Sequence, residues 1–321
     1  MDNLCHTLVG AALAESGLKR RTPLATATLL IGANLPDLDA FAYAWGNLAA
    51  LEFRRGWTHG LLAMAVLPVA LAGGMVAWDL LVRRRSGVSK LRQPAVFGQL
   101  LLLSFIAVWS HPLLDLLNTY GVRLLMPFSG RWFHGDALFI IDLWVWLALG
   151  LGVWLSRRAA RRHAPPSSIV FPARLALAGV VIYATAMSIV SWRTRSSLQD
   201  QLASAGTDAR VLMAAPVPVN PVKREVVVLQ GQEYRSGVAR AWDAAGWAPT
   251  ETVPVRGAGA AGELAAESEV GRRFLGWSRL PFFAPVPEGS ADPSAVRISD
   301  FRYARPGADS WASVVVRLPG R

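Results

Sequence analysis

Four apolar stretches of near membrane-spanning length dominate the first 194 residues of this chain: Leu61–Val82, Ala95–Leu117, Ala137–Leu155 and Phe171–Ser191. A helix needs about 20 residues to cross a bilayer core. Runs of this length leave few ways to fold outside a membrane. Two shorter apolar segments precede them, Leu4–Leu18 and Pro23–Leu35. Each is read as a short spanning helix or as a helix packed inside the bundle. Only 17% of the 321 residues are charged and 53% are hydrophobic, against roughly 25% charged in soluble domains. The expectation is an α-helical polytopic membrane domain of four to six helices.

Charge gives the orientation. Of the net +11, residues 1–194 carry +9 and residues 195–321 carry +2. Arg83, Arg84, Arg85, Lys90 and Arg92 follow the first long stretch, and Arg157, Arg158, Arg161 and Arg162 follow the third. Basic loops stay in the cytoplasm. The cluster Lys19–Arg21 fits the same side. His6, the Asp37 region and the ends near His59 and His111 then face outward. A nucleic-acid surface is excluded, because no recognition motif accompanies the charge. The first apolar stretch has its basic residues after it rather than before, unlike a secretory signal. One cysteine, Cys5, rules out an intrachain disulfide.

After Trp192 the character changes. Short alternating runs at Glu225–Leu229, Glu233–Ala239, Ala295–Ala304 and Trp311–Leu318 read as half-buried strands. Residues 1–194 are expected to form the helical membrane domain, and residues 195–321 a small β-rich extracytoplasmic domain. The Gly/Ala-rich stretch Arg256–Ala266 reads as a loop.

Ionisable groups within apolar segments default to function. Three apolar-flanked motifs hold five acids: Asp37 and Asp39 in Asn34–Asp39, Asp115 in His111–Asp115, and Asp136 and Asp142 in His134–Asp142. His6, His59, His111 and His134 lie near the same expected face. His111 and Asp115 are four apart, so a helix stacks them on one side. Pro36 should place Asp37 and Asp39 on a turn. His59 follows Thr58, a suitable helix cap. Imidazole with carboxylate suits zinc, manganese or iron, and the number of donors allows one ion or two. Asp37 or Asp136 is read as a general base. Asp142 is read equally as a ligand or as an ion-pair partner of Arg123 or Arg131. His134 reads as a loop residue, Asp79 as the partner of Arg83, and Cys5 as a small apolar residue.

Residues 1–145 resemble the YfhP/YdjM-like family of membrane-bound metal-dependent hydrolases. The matching pieces are Asp2–Gly10, Leu35–Asp39, Arg54–Gly60, and His111–Asp115 with Asn118–Gly121. The resemblance implies that His6, Asp39, His59, His111 and Asp115 are metal-site positions. It also implies a more distant similarity to zinc-dependent phospholipase C. A common variant of the family has His-Arg before Thr-His. Arg54 and Arg55 stand there in this chain, so that ligand is absent. The expected function is a metal-dependent hydrolase of the inner or plasma membrane. Its expected substrate is a lipid or lipid-linked phosphoester at the outer face. A regulatory or scaffold protein with a structural metal, and a transporter, are the alternatives.

Overall fold

The computed structural model describes residues 1–83, 93–240, 246–286 and 295–318. Arg84, Arg85, Lys90 and Arg92 of the first basic loop lie outside them. The chain forms two compact units. The first comprises Met1–Asp39, Arg55–Ser191 and Ala215–Pro221; the second comprises Ala40–Arg54, Trp192–Ala214 and Val222–Arg321. Compactness therefore does not cut the chain once near residue 194.

The first unit is helical. It contains α1 (Asn3–Glu15), α2 (Ala25–Asn34), α4 (Leu61–Trp78), α5 (Phe97–Leu116), α6 (Leu143–Arg161) and most of α7 (Pro166–Ser204). Between α2 and α4 the chain forms a 3₁₀ segment, Leu35–Trp45, and the short helix α3 (Asn47–Phe53). Among the described residues, three helical segments are long and apolar enough to cross a membrane: Leu61–Arg83, Phe97–Leu116 and Pro166–Ser204. Large apolar residues face outward on them, as in Leu62, Val66 and Val69 on α4 and Phe171, Val181 and Ile182 on α7. Such a surface matches lipid and not water.

The stretch Ala137–Leu155 does not become one helix. Asp142 caps α6 by accepting from the amides of Trp144 and Val145 at 3.1 and 3.2 Å. Helix therefore begins at Leu143, and α6 reaches into the basic run at Arg157–Arg161. This cap, with a bond from the Tyr183 hydroxyl at 3.3 Å, is where the structure places Asp142.

At about 1.5 Å per residue, α1 and α2 are too short to span a 30 Å core alone. They pack tightly instead. A Cβ at Gly10 would come within 2.7 Å of the Leu29 carbonyl, and one at Gly32 within 2.8 Å of Ala107. Two missing side chains thus let α1, α2 and α5 approach closely. At the opposite end of α1 from His6, Glu15 pairs with Lys19 and, at 3.2 Å, with Arg157. Asp79 pairs with Arg83.

Among the described residues, two antiparallel sheets make up the strands of the second unit, apart from the segment Ala215–Pro221, which belongs to the first. One has the order β1 (Ala209–Val217), β2 (Asn220–Gln230), β3 (Glu233–Arg240), β4 (Glu251–Pro254). The other has the order β5 (Pro281–Pro285), β6 (Ala295–Asp300), β7 (Ser313–Arg317). β5 begins and ends in proline and occupies an edge, where a missing amide donor costs nothing. Most of the Gly/Ala-rich stretch is helix rather than loop: α8 spans Gly259–Glu267, followed by α9 (Glu269–Leu275). The segment Ala40–Arg54 joins this unit through Glu52, which pairs with Arg273 at 2.7 Å. Asn47 also donates to the Trp311 carbonyl at 2.6 Å. Within the unit, burial opposes ionisation of Asp300, but the charge and hydrogen bonds of Arg302 outweigh it and hold the carboxyl at about 2.

Candidate metal centre

Four elements of the helical unit deliver the polar groups. His6 lies in the second turn of α1, whose first turn Asp2 caps by accepting from the Leu4 and Cys5 amides. Asp37 and Asp39 lie on the 3₁₀ segment after Pro36. His59 lies in the turn before α4, and His111 and Asp115 lie in the last turns of α5. The turn is fastened by backbone bonds, Arg123 N–H to the Arg55 carbonyl at 2.8 Å and Leu61 N–H to the Leu124 carbonyl at 3.0 Å. Gly60 is required there, since a Cβ would sit 2.4 Å from the Met126 carbonyl oxygen.

The three imidazoles meet. The rings of His6 and His111 stack at 3.6 Å, and His59 meets His111 edge-on at 5.0 Å. His6, His59, His111 and Asp115 are at most 1% exposed. Asp115 Oδ2 lies 3.3 Å from His59 Nε2 and 3.4 Å from His111 Nε2, while Asp115 Oδ1 lies 3.5 Å from His6 Nε2. Asp37 Oδ1 is 3.7 Å from His111 Nε2. Among the described residues, two sets of donor atoms converge closely enough to hold a metal ion: His6, Asp37 and His111; and His59, His111 and Asp115.

Hydrogen bonds fix the proton positions. His111 Nδ1 is 2.7 Å from the Ala33 carbonyl. A carbonyl only accepts, so Nδ1 carries the proton and Nε2 has the lone pair. The Thr58 hydroxyl donates to Asp39 Oδ2 at 2.9 Å, so its oxygen accepts from His59 Nδ1 at 3.0 Å. Asp39 Oδ2 is itself 3.3 Å from that nitrogen. His59 Nε2 therefore also presents a lone pair. Three lone-pair atoms, on His59, His111 and Asp115, face one another in a buried space, and none of them makes a hydrogen bond. Buried polar atoms normally find partners, and these repel one another unless a cation lies between them. With metal–nitrogen distances of about 2.1 Å, the edge of a tetrahedral site is about 3.4 Å. The observed 3.3 and 3.4 Å match that edge. The residues fit a divalent ion.

Not every expected residue is at the convergence. Asp37 belongs to a converging set, whereas Asp39 stands behind His59, accepting from Thr58 and from the Arg55 amide at 2.7 Å. Asp136 is buried with a positive φ of 52° but belongs to neither set. His134 stacks on Trp132 at 6.2 Å, outside both sets. Cys5 is buried in the apolar core beside Val9 and Leu138.

Two residues were given no role from sequence. Arg55 is 3% exposed and sends Nη2 to Asp115 Oδ1 at 3.0 Å. Asn118, one helical turn beyond Asp115, accepts from Arg55 Nη1 at 2.9 Å. The available signal was a charged residue in the Arg54–Gly60 motif, close in sequence to His59.

A family model described as YdjM inner membrane protein matches residues 1–195. The uncharacterized protein YfhP of Bacillus subtilis (strain 168) is 23% identical over 168 residues. That alignment covers 48% of this chain and 46% of YfhP, so it spans less than half of that relative. No solved structure matches.

Proposed function

The chain belongs to the YdjM inner membrane protein family, and from that premise we propose a membrane-bound, metal-dependent hydrolase. One observation carries the reading: His59 Nε2, His111 Nε2 and Asp115 Oδ2 converge at metal-ligand spacing, buried and without hydrogen bonds. His6 supplies a further donor, and Asp37 stands beside it and His111. Zinc suits imidazole and carboxylate donors best, with manganese or iron as the other choices. One imidazole nitrogen binds one ion, so the two sets sharing His111 Nε2 describe one centre rather than two. When bound, the ion supplies Lewis acidity towards a phosphoryl oxygen and an acidified water.

The chain's own residues prepare the site. Ala33 and Asp39, the latter with Thr58, fix the tautomers of His111 and His59, as partners behind metal-bound histidines usually do. Asp37, 8% exposed, is the member of these sets least withdrawn from solvent and is assigned the proton transfer. We place the centre at the outer membrane face, because Glu15, Lys19 and Arg157 occupy the other end of α1. A site at headgroup depth favours a lipid or lipid-linked phosphoester. The chain would cross the membrane several times, with residues 195–321 largely outside.

Burial of every donor favours a second reading, a metal that stabilises the fold of a regulatory or scaffold protein. Transport is disfavoured, since residues 61–78, 97–110 and 175–192 contain no Asp, Glu, Lys, Arg or His. The test uses full-length protein purified in detergent without added metal. Elemental analysis should give about one transition metal per chain by the shared-nitrogen argument, and lipid-linked phosphodiesters should be cleaved. A cobalt-loaded protein whose visible spectrum ignores added azide has no open position, which would favour the structural metal. Cysteine labelling at Phe128 from the cytoplasmic side would overturn the orientation.

A further inference from the structure

We propose that Arg55 is the positioning residue of this centre. Its side chain holds Asp115 so that Oδ2 faces His59 and His111, and its backbone holds Asp39 behind His59. The inference rests on the metal reading above. His59 stands between two carboxylates, with Asp39 towards Nδ1 and Asp115 towards Nε2. Arg55 touches both. Its amide donates to Asp39 Oδ2 at 2.7 Å, and its Nη2 lies 3.0 Å from Asp115 Oδ1. The α-amino group of Met1 also contacts that Oδ1. With Oδ1 engaged in this way, Oδ2 is the oxygen left to meet His59 and His111.

Arg55 is itself tightly placed. Nη1 donates to Asn118 Oδ1 at 2.9 Å, Nη2 donates to the Met1 carbonyl at 3.1 Å, and the guanidinium lies 4.7 Å from the centre of the Tyr120 ring. Asn118 Oδ1 also accepts from the Tyr120 and Gly121 amides at 2.9 and 3.3 Å. The loop after α5 thus locks Arg55, and Arg55 locks Asp115. A planar, permanently charged fork can serve Asp115, Asn118 and a carbonyl at once, whereas an ammonium cannot match that geometry. Nη1 and Nη2 already serve protein acceptors. Arg55 therefore acts through Asp115 and not by gripping a phosphoryl group.

The experiment is a cobalt titration of detergent-purified full-length protein, followed by the visible bands of bound Co²⁺. Arg55→Gln should lower affinity about 10- to 100-fold, the usual cost of losing a partner behind a metal ligand, and should shift the bands. In an Asp115→Asn background the same substitution should produce no further loss. A general structural role would instead lower affinity equally in both backgrounds, which would overturn the proposal. Unchanged affinity and bands in Arg55→Gln would also overturn it. If Arg55→Gln does not fold, Arg55→Lys is read in its place: weaker binding with shifted bands is expected, and wild-type behaviour refutes the required fork. Wild-type protein without cobalt bands would sink the metal reading itself. Normal wild-type bands with an indifferent Arg55→Gln would sink this inference alone.

Discussion

Replacing His111 with alanine should remove metal binding more completely than any other single substitution. His111 Nε2 is the donor common to both converging sets, 3.4 Å from Asp115 Oδ2 and 3.7 Å from Asp37 Oδ1. Without it, each set falls to two donors. Structural zinc binding of about 10–16 kcal/mol over four ligands corresponds to about 3 kcal/mol per ligand. That is an affinity loss of about 100-fold. A second, smaller cost follows, because the Ala33 carbonyl loses the 2.7 Å bond from Nδ1. A buried acceptor left without a donor costs about 1–3 kcal/mol of stability. The assay pairs elemental analysis of protein purified without added metal with a zinc titration against a competing chelator. His134→Ala is the control, since that ring stacks on Trp132 outside both sets. Equal metal retention in wild type, His111→Ala and His134→Ala would refute the convergence argument. So would a His134→Ala loss as large as that of His111→Ala.

Asp39→Asn should weaken metal binding by about 10- to 100-fold without abolishing it, because it orients His59 from behind; complete loss in the chelator titration would show Asp39 to be a ligand. Asp142→Ala should cost about 0.5–2 kcal/mol through loss of the α6 cap, read as a lower unfolding temperature with metal content unchanged. Asp300, held at about 2 by Arg302 against the opposing effect of burial, has a folded value below its unfolded one. Its stabilisation is full above about pH 4 and disappears as pH falls towards about 2, amounting to about 2 kcal/mol. Acid unfolding followed in wild type and Asp300→Asn should therefore converge over that range, and a gap that widens towards low pH would contradict the assignment.

The amino-acid sequence by itself determined the helical membrane character, because apolar runs of this length have few other folds. It also determined which residue types could meet, and the i, i+4 pair of His111 and Asp115 needed only helical geometry. Strands β2, β3, β6 and β7 were legible from alternation. β5, with prolines at both ends, was not, because an edge position forgives what a central strand forbids. The helix α8 was hidden because a Gly/Ala-rich stretch also reads as loop, and only packing decides between them. The division of labour among the acids belonged to tertiary structure. Asp37 and Asp39 are two residues apart in one motif, yet one joins the converging donors and the other stands behind His59. That outcome depends on where the turn before α4 docks against the loop after α5. Asp142 looked like a ligand or ion-pair partner until the start of α6 made it a cap. Arg55 had no role in the sequence because its partners, Asp115 and Asn118, lie 60 and 63 residues away. Which lone pairs face one another is set by close helix packing at Gly10 and Gly32, and no local pattern encodes that distance.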